Sequence, residues 1–337
     1  MSEDNVAAPR ETAVLLGHAQ AEQALLEAYK GGRIAHAWLI GGPPGIGKAS
    51  LAYRFARFVL AHPDPAAPEV QAAQSLALDP EHRVARRMAA QGQPDFFALE
   101  RVINEQTGKL YTSIRVDDVR KMVAFFGSTA REGGWRVAIV DSVDELAREG
   151  ANALLKVLEE PPERALLLLV SHSPGRELPT IRSRCRRLLL RPLSEDEVAQ
   201  ALAAATGRTA DDPEIAQAAA GADGSVGRAV SLLEGPGLAL RERVLETLAQ
   251  LPRPEPRALH GLGEALAGTD PQTLATFMDL VNAWLSRRLA NGEGEPRKLA
   301  QVAEAWERIN GAAREVDAYN LERKPFVFAV FEQLAAL

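Results

Sequence analysis

The chain has 337 residues, of which 46% are hydrophobic and 25% are charged, a composition typical of globular proteins with two or three domains. Its net charge of −6 excludes nucleic-acid binding through an overall positive charge, but not contact through a local basic patch. The single cysteine, Cys185, excludes an internal disulfide and any zinc site built from several cysteines.

The N-terminal segment and the apolar runs bear on location. Residues 1–12 are polar and acidic, without the apolar core of a signal peptide. The longest apolar run, residues 165–170, is too short to span a membrane. The six histidines are scattered, without the spacing of metal ligands. We therefore expect a cytoplasmic protein with no membrane contact and no bound metal.

Strand and helix patterns alternate through the first half of the chain. The patterns predict helices at 17–30, 49–60, 81–90, 116–126 and 150–160, and strands at 36–41, 96–102, 136–141, 166–171 and 185–190. The stretch 62–94 is irregular apart from its basic helix. Strands that alternate with helices predict a parallel sheet covered by helices on both faces.

The second half has no strand pattern. Ser194-Glu195-Asp196-Glu197 is a capping box that begins a helix, and helical segments rich in alanine and leucine follow it to the C-terminus. Gly235-Pro236-Gly237 is a candidate hinge. We predict an α/β domain at residues 1–192, a small helical lid domain at 193–235 and an all-helical domain at 236–337.

The turn after the first strand fits the frame of a phosphate-binding loop. In Gly42-Pro43-Pro44-Gly45-Ile46-Gly47-Lys48, the glycines Gly42, Gly45 and Gly47 and the amine of Lys48 are the candidate phosphate ligands. The complete motif continues with Ser or Thr, whose hydroxyl holds Mg²⁺, but the next residue here is Ala49. Ser50 follows, turned away by roughly 100° on a helix. A glycine-rich turn without nucleotide is the alternative interpretation.

A second candidate feature lies at the end of the strand 136–141. Asp141 occupies the usual position of a Mg²⁺-holding carboxylate downstream of a P-loop. The next residue, Ser142, is a poor base where many such ATPases have Glu. Asp144 and Glu145 are candidate substitutes, although acids in a first helical turn are also favoured by the helix dipole.

Two further motifs resemble those of bacterial clamp-loader subunits, a group of AAA+ proteins. They are residues 152–162, which read NALLKVLEEPP, and Arg182-Ser183-Arg184-Cys185. The resemblance covers nearly the whole chain and is specific over residues 34–195. It implies a P-loop AAA+ parallel-sheet domain, followed by a small helical lid and an all-helical C-terminal collar domain that assembles into a ring.

At three positions the sequence differs from the ATP-hydrolysing gamma/tau members. In these differences it resembles delta-prime subunits. Ala49 and Ser142 replace a hydroxyl residue and the catalytic Glu, and Gly227 takes the place of a lid arginine, with Arg228 one residue late. The resemblance thus implies a subunit that does not hydrolyse ATP, with weak or no nucleotide binding. Because the four-cysteine zinc module of the best-known members is missing from residues 62–94, we expect no zinc and no other cofactor.

Arg184 is the residue to which the resemblance gives a catalytic role. In clamp loaders, the arginine of Ser-Arg-Cys reaches ATP bound by the neighbouring subunit, where a guanidinium stabilises charge on the γ-phosphate. The alternative for Arg184 is a structural ion pair, and for Arg182, Arg186 and Arg187 a solvated or nucleic-acid-facing basic cluster. The implied partners are gamma/tau and delta subunits in a hetero-pentamer, with the sliding clamp and primed DNA contacted through the complex.

Cys185 is interpreted as a small buried packing residue, and the sensor-like Ser171 and His172 are ambiguous. Two other functions remain open. One is an ATP-hydrolysing AAA+ protein, such as a gamma/tau-like subunit, that relies on Asp141, Asp144 or Glu145. The other is a P-loop metabolite kinase, which would not need the long helical C-terminal half.

Overall fold

The computed structural model describes residues 8–12, 14–103, 111, 113–127, 130, 134–175, 178–233, 237–268, 271–290, 296–319 and 321–337. Its strands are β1 Ala37–Gly41, β2 Phe96–Glu100, β3 Arg136–Asp141, β4 Ala165–Ser171 and β5 Arg186–Leu189. Its helices are α1 Ala19–Lys30, α2 Lys48–Ala61, α3 Pro68–Ala72, α4 Arg83–Ala89, α5 Val116–Gly127, α6 Arg148–Glu159, α7 Pro179–Arg182, α8 Glu195–Thr206, α9 Pro213–Ala220, α10 Val226–Leu233, α11 Gly237–Ala249, α12 Pro256–Leu266, α13 Pro271–Ala290, α14 Pro296–Ala318 and α15 Arg323–Ala335.

The five strands form one parallel sheet in the order β2-β3-β4-β1-β5. Strands β1 and β4 are buried along their whole length, as expected for a sheet covered on both faces. On one face, Leu39, Ala138 and Leu167 share a core with Val119 of α5 and Leu154 of α6. The predicted fold class, an α/β P-loop domain followed by helical regions, is confirmed.

The ends of the elements follow local chemistry. Helix α6 ends at Glu159, two residues before Pro161, as the prolines require. The capping box that begins α8 is confirmed, because Ser194 Oγ accepts from the Glu197 amide and the Glu197 carboxylate accepts from the Ser194 amide. The short helices α3 and α7 and a 3-10 turn, Val143–Glu145, were not predicted.

A buried carboxylate on α1 holds part of the segment that follows α2. Glu22 of α1 accepts a hydrogen bond from the Leu76 amide at 2.7 Å and forms an ion pair with Arg54 of α2 at 2.9 Å. The side chains of Glu22 and Arg54 are each 12% exposed. The Trp135 indole also donates to the Pro63 carbonyl at 3.1 Å. These contacts hold the segment at Leu76 against α1 and at Pro63 against Trp135.

The chain divides into two compact units, residues 1–227 and 228–337. The second unit contains α11 to α15 around an apolar core that includes Val244, Phe277 and Phe331. Arg228 is paired with Asp279 of α13 at 3.7 Å within this unit. The three-domain division at residues 192 and 235 stays a prediction, and positions 235 and 236 of the candidate hinge lie outside the described residues. Among the described residues, no helix is long and apolar enough to cross a membrane.

Candidate functional site

The predicted phosphate-binding loop has the expected local geometry. It connects β1 to α2, and Gly42, Gly45 and Gly47 adopt φ angles of +153°, +73° and +98°. These values lie in the region that favours glycine, which explains the residue type at all three positions. Lys48 is the first residue of α2. The structure therefore brings the four predicted residues together in one strand–loop–helix unit.

The amine of Lys48 is engaged inside the loop. Lys48 is 3% exposed, and its Nζ donates to the Pro43 carbonyl. Burial lowers the pKa of Lys48 to about 8, although nearby Asp141 and Asp144 favour its charged form. The lysine thus stabilises the loop itself.

Residues far along the chain cover the loop. Ser225 Oγ donates to the Pro44 carbonyl at 3.0 Å, and the Gly227 amide donates to the Gly45 carbonyl at 2.9 Å. From the other side, His18 Nε2 donates to the Ile46 carbonyl at 2.6 Å, and His18 is 5% exposed. Sequence reasoning missed Ser225 and His18, because neither belongs to a motif and only the fold brings them to the loop.

Two candidate acids lie at the end of β3 and shortly after it, Asp141 and Asp144. Burial raises the pKa of Asp141 to about 6. Asp144 accepts from Ser142 Oγ at 2.7 Å and from the amides of His172 and Ser173 at 2.6 and 3.0 Å. It therefore fixes the turn that follows β4, a role that neither sequence interpretation foresaw.

Two of the remaining candidate residues, Glu145 and Ser171, also have side-chain partners. Glu145 forms an ion pair with Arg101 at 2.7 Å. The Ser171 hydroxyl, fully buried, donates to Asp144 at 3.1 Å. Burial lowers the pKa of His172. These contacts give Ser171 and Glu145 roles in holding the strand ends.

A hydrolytic Mg²⁺–ATP site does not fit these residues. Ala49 supplies no oxygen to a metal, and Ser142 occupies the position of the general base. Asp144 and Glu145, the candidate substitutes, hold neighbouring groups. The loop retains the backbone shape of a phosphate site. Among the described residues, no group of three or more His, Cys, Asp or Glu side chains is arranged to hold a metal.

Arg184 lies on the single turn between α7 and β5. Its Nη1 donates to the Thr180 carbonyl at 2.9 Å, and its Nη2 pairs with Glu159 Oε1 at 2.9 Å. The Arg184 side chain remains 35% exposed. Arg184 is therefore in an ion pair and partly exposed, and its role toward a neighbouring subunit's ATP stays a prediction.

The other basic residues of this segment differ from one another. Arg182 Nη1 donates to the Gly175 carbonyl at 3.3 Å. The Arg186 guanidinium lies over the Trp38 ring, 4.7 Å from its centroid, as in a cation–π contact. Cys185 is half-buried rather than buried as predicted, and it packs against the sheet core. Arg182 and Arg186 of the predicted basic cluster therefore contact other groups of the protein and are not simply solvated.

The fold and the loop define an α/β P-loop protein with an altered nucleotide site. A family model described as "DNA polymerase III, delta subunit" matches residues 17–194, more than half of the chain. The chain therefore belongs to this family. The predicted relationship to delta-prime subunits is confirmed, because its curated relatives include proteins of that name.

Three curated relatives illustrate the similarity. DNA polymerase III subunit delta' of Pseudomonas aeruginosa is 41% identical over 165 residues, which are 48% of this chain and 46% of the relative. The delta' subunit of Escherichia coli is 32% identical over 225 residues, 67% of this chain and 62% of the relative. The tau/gamma subunit of Haemophilus influenzae is 29% identical over 230 residues, 67% of this chain and 31% of the relative. The chain thus covers less than two thirds of the length of each.

Among solved structures, the RuvB Holliday junction branch migration motor of Thermotoga maritima has a TM-score of 0.45 at 18% identity, over 86% of this chain and 82% of that chain. This likeness is too distant to bear on function.

Proposed function

We propose that the chain is a delta-prime subunit of the DNA polymerase III clamp loader that does not hydrolyse ATP and supplies Arg184 to ATP bound by a neighbouring subunit. The observation that carries the proposal is the family match over residues 17–194, which includes both the P-loop and the Arg184 segment. The accessible guanidinium of Arg184 suits a role across a subunit boundary.

The residues of the nucleotide site and the contacts that cover the P-loop support the proposed lack of hydrolysis. Ala49 and Ser142 remove the metal-binding hydroxyl and the general base. Ser225 and Gly227 bond to the loop carbonyls where they cover it. We propose that Gly42, Gly45, Gly47 and Lys48 retain at most weak nucleotide binding and that the subunit needs neither zinc nor another cofactor.

The partners in this proposal are gamma/tau and delta subunits in a hetero-pentamer, assembled through the helical C-terminal unit. Contact with the sliding clamp and primed DNA is made through the complex, in the cytoplasm and away from membranes. Similarity to both delta' and tau/gamma proteins supports membership of such an assembly. The arginine acts by stabilising charge on the transferred phosphoryl oxygens, an effect worth about 10³–10⁵ in rate for known arginine fingers.

The test is the steady-state ATPase rate of a reconstituted loader with clamp and primed DNA, containing either the wild-type chain or Arg184→Ala. Arg182→Ala, in the same segment, is the matched control. We expect the isolated chain to be inert, and Arg184→Ala to slow the assembly without dissolving it. An unchanged rate with Arg184→Ala would contradict the trans role.

The tau/gamma-like alternative, an ATP-hydrolysing subunit, is favoured by the 29% identity to the Haemophilus influenzae protein. This alternative requires ATP hydrolysis without a hydroxyl side chain at position 49. It also requires that Asp144 or Glu145 serve the reaction although both already bind neighbouring groups. Mg²⁺-dependent ATP turnover by the isolated chain, abolished in Lys48→Ala, would establish it and overturn the non-hydrolysing proposal.

A further inference from the structure

The partner of Arg184 lies at the end of another element. Glu159 is the last residue of α6, and its Oε1 accepts from Arg184 Nη2 at 2.9 Å. The last turn of α6 is itself anchored, because His36 Nε2 donates to the Leu158 carbonyl at 3.1 Å. Pro161 prevents the helix from continuing. The carboxylate that meets Arg184 therefore projects from a fixed point.

Glu159 stands where a carboxylate weakens a helix. The C-terminus of a helix carries a partial negative charge, so an acid in the last turn is unfavourable. The Glu159 side chain is 50% exposed, and a pair this open to solvent contributes little to stability. Stability of α6 therefore does not account for glutamate at this position.

The contacts leave Arg184 able to bind an anion. A guanidinium has five N–H donors. Within the described part of the chain, the hydrogen bonds and ion pair of Arg184 involve Thr180 at 2.9 Å, Ser183 at 3.4 Å and Glu159 at 2.9 Å. These occupy at most three donors, so two remain for phosphate oxygens. The guanidinium is thus held from two sides without being saturated.

We infer that Glu159 is a positioning residue, which orients the Arg184 guanidinium toward the neighbouring subunit's nucleoside triphosphate. This inference rests on the proposed function of Arg184. Fixing a long side chain before the anion arrives removes part of the entropy lost on binding, which is how positioning accelerates a reaction. In the opposite arrangement, Glu159 restrains Arg184 and competes with phosphate. Replacing Glu159 would then raise the ATPase rate instead of lowering it.

The experiment measures the ATPase rate of the reconstituted loader with Glu159→Gln, in the wild-type and Arg184→Ala backgrounds. Glu160→Gln changes the adjacent exposed carboxylate and is the matched control. We expect Glu159→Gln to lower the Arg184-dependent part of the rate about two- to fivefold, the range of an exposed ion pair. We expect no further effect of Glu159→Gln when Arg184 is already alanine, since the two residues act as one unit.

Thermal unfolding of each purified variant separates positioning from a structural role. Because the glutamine removes an unfavourable charge from the end of α6, Glu159→Gln should leave the Tm unchanged or slightly raised while the rate falls. A lowered Tm with an equal rate loss in both backgrounds, or an increased rate, would overturn the inference. If Arg184→Ala slows the loader but Glu159→Gln does not, the inference alone fails. If Arg184→Ala has no effect on the ATPase rate, both this inference and the proposed function of Arg184 fail.

Discussion

Gly227 and Gly45 are in backbone contact, 182 positions apart in the sequence. The Gly227 amide donates to the Gly45 carbonyl at 2.9 Å, and a Cβ atom added to Gly227 would lie 3.1 Å from Gly45 Cα. The position where the clamp-loader resemblance places a lid arginine is thus filled by a residue whose lack of a side chain allows close approach. A side chain at position 227 would disturb this contact with the loop.

The first prediction concerns Gly45→Ala. Gly45 has a φ of +73°, and an added Cβ would lie 2.3 Å from Ser225 Oγ. We expect a loss of about 2–4 kcal/mol in the free energy of unfolding, from backbone strain and overpacking together. Gly32→Ala is the matched control, because Gly32 has a φ of +65° and open space around it. It should cost only about 1–2 kcal/mol. Equal losses in chemical denaturation would show that the Ser225 contact is unimportant.

The second prediction concerns the pH dependence of stability due to Lys48. Because its folded-state pKa is lowered from 10.5 to about 8, the unfolded chain binds more protons between these two values. Stability contributed by Lys48 must therefore rise with pH through this window, by about 2–3 kcal/mol. The measurement is the free energy of unfolding of wild type minus that of Lys48→Met, from pH 7 to pH 10. Lys156→Met, at an exposed position of α6, is the matched control. Parallel curves for wild type and Lys48→Met would refute the assigned pKa.

The third prediction concerns Asp144. Replacing it with alanine removes the acceptor for the amides of His172 and Ser173. Because Asp144 is exposed, we expect a moderate loss of about 1–2 kcal/mol, together with faster hydrogen exchange at those two amides. Asp79→Ala removes a single acceptor for the Glu81 amide at an exposed turn and serves as control. Unchanged exchange at His172 and Ser173 would argue against the structural role of Asp144.

The fourth prediction concerns Glu22. Glu22→Gln replaces the carboxylate that forms an ion pair with Arg54 by a neutral amide, in a site where both side chains are 12% exposed. We expect a loss of about 2–4 kcal/mol and new protease cleavage near Leu76, whose amide Glu22 holds. Glu27→Gln, on the same helix but exposed, is the control. If the cleavage pattern near Leu76 stays that of wild type, residues 62–94 are held by other contacts.

The strands and the P-loop could be predicted because their signals are local. An apolar strand, three glycines at fixed spacing and a lysine at a helix start are all contained in residues 36–48. The capping box at Ser194 is equally local. The short elements α3 and α7 have four or five residues, too few for a helical period to be visible.

The contacts that cover the site could not be predicted, because they join distant positions. Ser225 and Pro44 are 181 residues apart, and Leu76 and Glu22 are 54 apart. A serine or glutamate that makes such a bond carries no pattern of its own, since only the folded sheet and helices set the distance. The structural role of Asp144 was missed for the same reason, because its partners come after a different strand.

Strand β1 has one further consequence. Its Trp38 pairs in register with Arg186, two residues from Arg184, whereas its last residue, Gly41, leads directly into the P-loop. Strand β1 lies between β4 and β5 and is hydrogen-bonded to both of them. The P-loop and the Arg184 segment are therefore attached near opposite ends of the same strand.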